Sequence, residues 1–373
     1  MFNLDDYQKE AKRKLPKPLF EYIASGTDDE QTLTENVSAF KGWYLLPRVM
    51  VPMEHLSTAT KLFGRTLDMP VFTCPAGVQA LCHTEGECAT ARACGHAGIA
   101  FGHSQHATKS IAQVTHAAPD TMRWYQSYIL TDKQLTLDLI QRAIQCGYQA
   151  IVLTVDSVRL GYREADARNG WNALPDPHRL ANYDGTSFDQ SYNAQESPAW
   201  DQTTETLFDI NVTWDHVQWI KNHCAGLPLI VKGIMTPQDA VLAIEHGADG
   251  IMVSNHGGRQ LDGCLATIDA LPAISKVVRG RVPILLDGGI RRGTDVVKAL
   301  ALGATAVGIG KPVFFALAVN GEDGVKHMLH LLKTEVAAAM ALCGCQSVAD
   351  ITRNLITRHP SGGPVIRYTR ASL

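Results

Sequence analysis

The run Ser254-Asn255-His256-Gly257-Gly258-Arg259-Gln260-Leu261-Asp262 brings together a group that can move a proton and one that can grip a carboxylate. An imidazole titrates at about 6.5, so His256 suits proton abstraction near neutral pH. A carboxylate beside it would orient the ring and favour its charged form, and Asp156 is the candidate partner. Two guanidiniums, Arg163 and Arg259, with two phenols, Tyr22 and Tyr128, would make a carboxylate clamp. Taken singly, each Arg reads as a surface ion pair and each Tyr as core. Together they point to acid–base chemistry on a small acid.

Two glycine-rich runs could hold an anion. They are Leu286-Asp287-Gly288-Gly289-Ile290-Arg291-Arg292-Gly293 and Gly308-Ile309-Gly310-Lys311-Pro312. Glycine lets backbone N–H groups approach an anion, and Arg291 and Lys311 supply countercharge. Either run alone could be only a tight turn; the pair favours a phosphate. Lys232 follows the apolar Leu229-Ile230-Val231, where an ammonium is costly unless it meets a negative group. That group is either Asp156 or Asp287, or a cofactor that turns anionic on reduction. Cys82, Cys88 and Cys94 lie beside His83 and His96, but steps of six residues scatter around a helix axis, so no metal site is expected.

Something must carry these groups to one place. Eight short apolar runs, starting at residues 71, 99, 123, 150, 228, 250, 283 and 306, alternate with helical segments. Continuous apolar strands imply burial on both faces and parallel pairing, and eight such units favour a closed (β/α)8 barrel. Active sites of barrels collect at the C-terminal ends of strands, and phosphates at the loops after strands 7 and 8. The run ends carry Pro75-Ala76-Gly77, Ser104, Gln126 with Tyr128, Thr154 with Asp156, Lys232, Ser254-Asn255-His256, Asp287-Gly288-Gly289 and Gly310-Lys311. One step, from 150 to 228, is 78 residues long and leaves room for a polar lid at about 165–211. The expected organisation is one domain over 1–373. A mostly helical segment covers 1–65, the barrel 66–355, and a tail 356–373.

Composition narrows the class. The 373 residues are 45% hydrophobic and 19% charged, which allows a large core. A net charge of −3 argues against nucleic acid as a partner. No uninterrupted apolar stretch of membrane-spanning length appears, so no membrane partner is expected. Nine scattered cysteines read as reduced intracellular thiols. The start, Met1-Phe2-Asn3-Leu4-Asp5-Asp6, lacks the features of a secretory signal. Ala371-Ser372-Leu373 ends like a peroxisomal address without its usual basic middle residue, so a cytoplasmic or peroxisomal location is expected.

The nine-residue run resembles the signature of the FMN-dependent α-hydroxy acid oxidases and dehydrogenases, the glycolate oxidase and lactate oxidase family. The likeness extends over Tyr22-Ile23-Ala24-Ser25-Gly26, His83-Thr84-Glu85-Gly86-Glu87, Leu153-Thr154-Val155-Asp156, Val231-Lys232-Gly233 and the strand-7 glycines. It fades between about 166 and 210. The resemblance implies FMN as cofactor and oxidation of a small (S)-2-hydroxy acid to the 2-oxo acid. Oxygen would be the acceptor, giving hydrogen peroxide, in a homotetramer or homo-octamer. His256 would be the base, paired with Asp156. Arg163, Arg259 and Tyr22 would grip the carboxylate, and Tyr128 would contact the substrate hydroxyl. Lys232 would stabilise the reduced ring, which would lie against Pro75, Ala76 and Gly77 and meet Ser104, Gln126, Tyr128, Thr154 and Ser254. Asp287 would bind ribityl hydroxyls. Gly288, Gly289, Ile290, Arg291, Gly310 and Lys311 would hold the phosphate end.

Three residues depart from the family pattern: Lys311 where many members have Arg, Gly77 where glycolate-type oxidases have Ala, and His106 where plant glycolate oxidases have Trp. The other readings are a dehydrogenase using a quinone, cytochrome or other acceptor, and a non-catalytic flavin-binding barrel. The base and clamp together argue against the last, because binding alone needs no base.

Overall fold

The computed structural model of the chain describes residues 1–171, 174–186, 188–189 and 207–358. Each apolar run forms a short strand. In chain order they are β1 Val71–Thr73, β2 Ala100–Ser104, β3 Arg123–Ser127, β4 Ala150–Thr154, β5 Leu229–Ile234, β6 Gly250–Val253, β7 Ile284–Leu286 and β8 Ala306–Ile309. All pair in parallel, and β8 closes onto β1, giving the expected barrel. Every strand residue except Gly233 is buried. The two-residue period divides them. Phe72, Trp124, Val152, Ile230, Met252 and Leu285 fill the barrel interior. Val71, Phe101, Tyr125, Ile151, Val231 and Leu286 face the surrounding helices. Each such side chain contributes roughly 1.5–3 kcal/mol by leaving water, which is why the barrel can hold polar groups at its rim.

The N-terminal segment is less helical than its composition suggests. Helices Leu4–Lys14, Lys17–Ala24 and Gln31–Ser38 are present, but Thr60–Leu62 and Arg65–Leu67 form an antiparallel hairpin. Leu62 and Leu67 join the barrel interior, and Phe63 meets Trp124 edge-on at 6.1 Å. Phe63 also lies against Gly250 at the start of β6, so the hairpin plugs the end of the barrel opposite the strand C-termini. A second short pair, Trp43–Leu45 with Ile356–Arg358, ties the N-terminal segment to the end of the described chain. No helix among the described residues is long and apolar enough to cross a membrane.

The anticipated lid lies partly outside the described residues, as does the tail from 359 on. The two described feet of that excursion are packed. Leu180, Tyr183, Leu207 and Phe208 are buried. Asn182 donates to the carbonyls of Ser104 and Gln105 at the end of β2, and Phe208 bridges to Leu130 after β3. The polar composition of the excursion hides these apolar anchors.

Helix Gln31–Ser38 lies on the mouth of the barrel, and its N-terminus is held by the last residue of the signature run. Asp262 accepts from the backbone N–H of Thr32 at 2.8 Å and of Gln31 at 3.1 Å. Burial opposes ionisation of this carboxyl, but those amide donors outweigh it and keep it below its ordinary value. A carboxyl depressed in the folded state stabilises the protein above its unfolded pKa, and the contribution vanishes as pH falls through the folded value. Asp262→Ala is expected to cost about 1 kcal/mol at pH 7, as for loss of a helix cap. The deficit should shrink toward pH 3, as read by denaturant titration at several pH values.

Candidate active site

Strand register decides which polar ends meet. Ser104 pairs with Gln126 across β2 and β3, and Thr154 pairs with Lys232 across β4 and β5. These side chains therefore stand side by side at the rim. His256 and Asp156 come from non-adjacent strands, yet His256 Nδ1 lies 2.9 Å from Asp156 Oδ1. Ser157 Oγ donates to the same carboxylate oxygen at 3.1 Å, and Lys232 Nζ stands 3.9 Å from Oδ2. Burial alone would raise the Asp156 carboxyl, but Lys232 and His256 hold it far below the usual range. Burial and Lys232 lower His256, against the pull of Asp156. The imidazole is therefore a neutral base at neutral pH. Its Nδ1 is taken by Asp156, leaving Nε2 for the cavity. Lys232 is raised: burial works against its charge, but Asp156 and Asp287 favour it more.

Arg259 follows the same loop. Its Nη1 donates to the carbonyl of Tyr22 at 2.7 Å and of Ser25 at 3.3 Å, and its guanidinium lies 5.2 Å above the Tyr22 ring. Burial and the neighbouring Arg163 bring it down to about 10, still charged at neutral pH. Arg163 Nη1 is 3.6 Å from Asp166 Oδ2. Tyr22 stacks on Trp171 at 5.0 Å, and Tyr128 packs against Phe208 at 4.6 Å and His106 at 5.3 Å. Burial raises the Tyr128 phenol to about 12, so it stays protonated.

At the other end, Lys311 opens the helix after β8. Its ammonium donates to the carbonyls of Ala24 and Ser25 at 3.0 Å each and of Gly257 at 3.3 Å. An ammonium has three N–H groups, so all are engaged and Lys311 acts on an anion through its charge. Burial, then Arg259 and Arg291, lower it well below its ordinary value. Arg291 is likewise lowered by burial. An anion here would relieve this crowding of cations.

One large cavity, about 1370 Å³ with its open mouth, joins these groups. It is lined by Tyr22, Pro75, Ala76, Gly77, Ser104, Tyr128, Arg163, Lys232, His256, Arg259, Asp287, Gly288, Gly289, Ile290, Arg291, Gly310 and Lys311. Asp156, Gln126, Thr154 and Ser254 stand behind that lining. Ser254 Oγ accepts from the His256 N–H at 3.1 Å, and Gln126 Oε1 accepts from Ser104 Oγ at 3.2 Å. Asn36, Cys74, Leu160 and Phe208 also line the cavity and had no signal in the sequence. Cys74 directly follows β1 but looks like core; Asn36 and Phe208 arrive through tertiary contacts alone.

The profile of the FMN-dependent dehydrogenase family matches residues 11–358. The chain belongs to that family. It is 41% identical to 2-hydroxyacid oxidase 1 of Homo sapiens over 359 residues, covering 96% of each chain. It is 43% identical to glycolate oxidase of Spinacia oleracea, covering 95% of each. The structure superposes on mandelate oxidase solved with (S)-4-hydroxymandelic acid at a TM-score of 0.89 and 38% identity. That match covers 95% of this chain and 98% of the other.

The residues present fit FMN. Gln126 Nε2, Thr154 Oγ1 and Lys232 Nζ are buried without a hydrogen-bond partner, at the end where a ring with carbonyl and imide edges would lie. Asp287 Oδ1 is also buried and unpartnered, an acceptor that hydroxyls such as those of a ribityl chain would satisfy. Buried polar atoms left unpaired are costly, and a flavin supplies complementary groups. The cation cluster of Arg291 and Lys311, with the N-terminus of the Lys311 helix, suits a phosphate. Gly289, at φ 83°, is where helix Gln31–Ser38 comes closest: a Cβ there would stand 1.8 Å from the carbonyl oxygen of Asn36. Lys311→Ala is expected to weaken FMN about tenfold or more, the scale of one charged contact. Fluorescence titration of FMN-free protein measures this, and unchanged affinity would show that the β8 loop holds no phosphate.

Proposed function

We propose that this chain oxidises a small (S)-2-hydroxy acid to the corresponding 2-oxo acid, passing the electrons to oxygen to give hydrogen peroxide. The reading is carried by the neutral His256, held at 2.9 Å by Asp156, in the same cavity as Arg163, Arg259 and Lys232. Arg259 and Arg163, with Tyr22, take the carboxylate. Tyr128 faces the hydroxyl as a protonated phenol. His256 Nε2 accepts the proton, and Asp156 stabilises the imidazolium that forms. Bound FMN supplies the two-electron acceptor. Lys232 would hold a positive charge beside that ring and so favour its reduced, anionic form. Pro75, Ala76, Gly77, Ser104, Gln126, Thr154 and Ser254 would surround the ring, Asp287 the ribityl chain, and Gly288, Gly289, Ile290, Arg291, Gly310 and Lys311 the phosphate.

Beyond the clamp, the cavity wall is His106, Tyr128, Phe208, Leu160 and Val78. Burial, then His256, lowers His106 to about 3, so this wall is neutral at working pH. It suits an apolar substituent on C2, and among the described residues this wall carries no cation for a second carboxylate. The oxidase names of the relatives support oxygen as acceptor, and the family resemblance supports a homotetramer or homo-octamer. One observation favours the dehydrogenase reading. A Cβ on Gly77 would lie 2.5 Å from the His106 carbonyl oxygen, so the alanine of glycolate-type oxidases does not fit without a shift. Stopped-flow mixing of substrate-reduced enzyme with oxygen separates the two. Rapid return of the oxidised spectrum is expected, and a slow return transfers the reading to another acceptor.

His256→Gln is expected to keep flavin bound and slow its reduction by substrate about 10²- to 10⁴-fold, the range for a general base. Normal anaerobic reduction in that variant removes His256 from the mechanism. The base must be unprotonated, and burial lowers it, so activity persists to more acidic pH than an ordinary imidazole would allow. The acid limb of kcat/KM should therefore fall below pH 6.5, the ordinary imidazole value.

A further inference from the structure

His256 has φ 56°, and Gly257 and Gly258 follow at 65° and 74°. Three successive residues are thus left-handed, and the first carries the imidazole. A side-chain-bearing residue enters that region seldom, and stays there only where its surroundings over-determine it. The hydrogen bond from the His256 N–H to Ser254 Oγ is one restraint. The residue between them is another. Asn255 is 5% exposed and its amide is fully engaged. Its Nδ2 donates to Asn36 Oδ1 at 2.9 Å and to the Leu265 carbonyl at 3.1 Å, while its Oδ1 accepts from Asn36 Nδ2 at 2.9 Å.

Asn36 is 2% exposed and belongs to helix Gln31–Ser38, outside the barrel. Its Oδ1 also accepts from the Thr267 N–H at 3.3 Å, and the Thr267 hydroxyl donates to the Asp287 carbonyl. The helix is pinned by Asp262 at its start and by the close approach of Asn36 to Gly289 near its end. A reciprocal amide pair in a dry setting is an exacting contact. Removing Asn255 leaves the Asn36 Nδ2 donor unpaired, and removing Asn36 leaves the Asn255 Oδ1 acceptor and the Thr267 N–H unpaired.

We propose that the Asn36–Asn255 pair is a positioning device. It transmits the placement of the N-terminal helix to the left-handed turn at His256, and so sets the angle at which Nε2 meets the substrate. Asn36 touches the β7 loop as well, so the same helix aligns the base with the phosphate end of the cofactor site. This rests on His256 being the base.

The test uses FMN-loaded enzyme and three readouts: anaerobic flavin reduction by substrate, binding of acetate (a monocarboxylate without the hydroxyl, which reports on the arginines), and FMN affinity after removal of the cofactor. Asn255→Ala should slow reduction about 10- to 100-fold, the cost of a misplaced reacting group, with acetate affinity within about threefold of the parent. Asn36→Ala should do the same and also weaken FMN. The double variant should be no slower than the slower single by more than about threefold, because both remove one contact. Asn36→Asp keeps the bonds accepted from Asn255 and Thr267 but sets a second acceptor oxygen against Asn255 Oδ1 where the amide donor stood. It should slow reduction at least as much as Asn36→Ala, and it stands in if an alanine variant fails to fold. Reduction within about twofold of the parent, losses that multiply in the double variant, or an equal loss of acetate binding overturns the proposal. His256→Gln is the control. If it reduces normally, the base assignment falls; if it is slow while the asparagine variants are not, only the positioning role falls.

Discussion

Asp156 stands between an imidazole at 2.9 Å and an ammonium at 3.9 Å, at a depth where none of the three could sit alone. A lone carboxylate there would take up a proton, and a lone ammonium would lose one. Together they stay in the forms the chemistry needs: carboxylate ionised, lysine charged, histidine neutral. Every other feature of the site either brings these three residues to one depth or uses the polarity they create. Breaking such a buried set by removing one member leaves uncompensated charge, which costs several kcal/mol. The arrangement therefore depends on a barrel stable enough to hold it.

The barrel does so by separating its tasks. Its interior is filled by Trp124, Phe72, Met252 and their neighbours and closed below by the hairpin carrying Leu62 and Leu67. Only the upper rim is open. There, parallel register sets polar side chains next to one another at fixed spacing, as Thr154 beside Lys232 shows. The rim is rich in positive charge, with Arg163, Arg259, Arg291 and Lys311 all lining one cavity. Backbone carbonyls of Tyr22, Ala24, Ser25 and Gly257 hold two of these cations. Like-charge crowding of this kind is unfavourable unless anions arrive, and the proposed ligands bring two, a phosphate and a carboxylate.

The N-terminal segment is part of this machinery. Its carbonyls meet Arg259 and Lys311, its Asn36 meets Asn255, and the signature residue Asp262 turns back to cap its third helix. One motif thus reaches in two directions, with His256 and Arg259 toward the cavity and Asp262 toward the helix that covers it.

The composition and spacing of the chain determined the strand count, the closed barrel, the end of the barrel that bears the chemistry and most of the groups that line it. That was possible because buried parallel strands are continuously apolar, so each polar residue at a run end stands out. Lys232, His256 and the glycines after β7 and β8 were legible for this reason. Tertiary structure alone decided which ends face each other. It set the 2.9 Å contact between His256 and Asp156, engaged the Lys311 ammonium with three carbonyls, and brought Asn36, Cys74 and Phe208 to the cavity. It also formed residues 60–67, of which 60–65 fell in the segment expected to be mostly helical, into the hairpin that plugs the barrel. The physical reason is the same in each case. Local pattern reports whether a residue is buried and how its own strand or helix repeats, whereas a partner distant in the chain is chosen by packing.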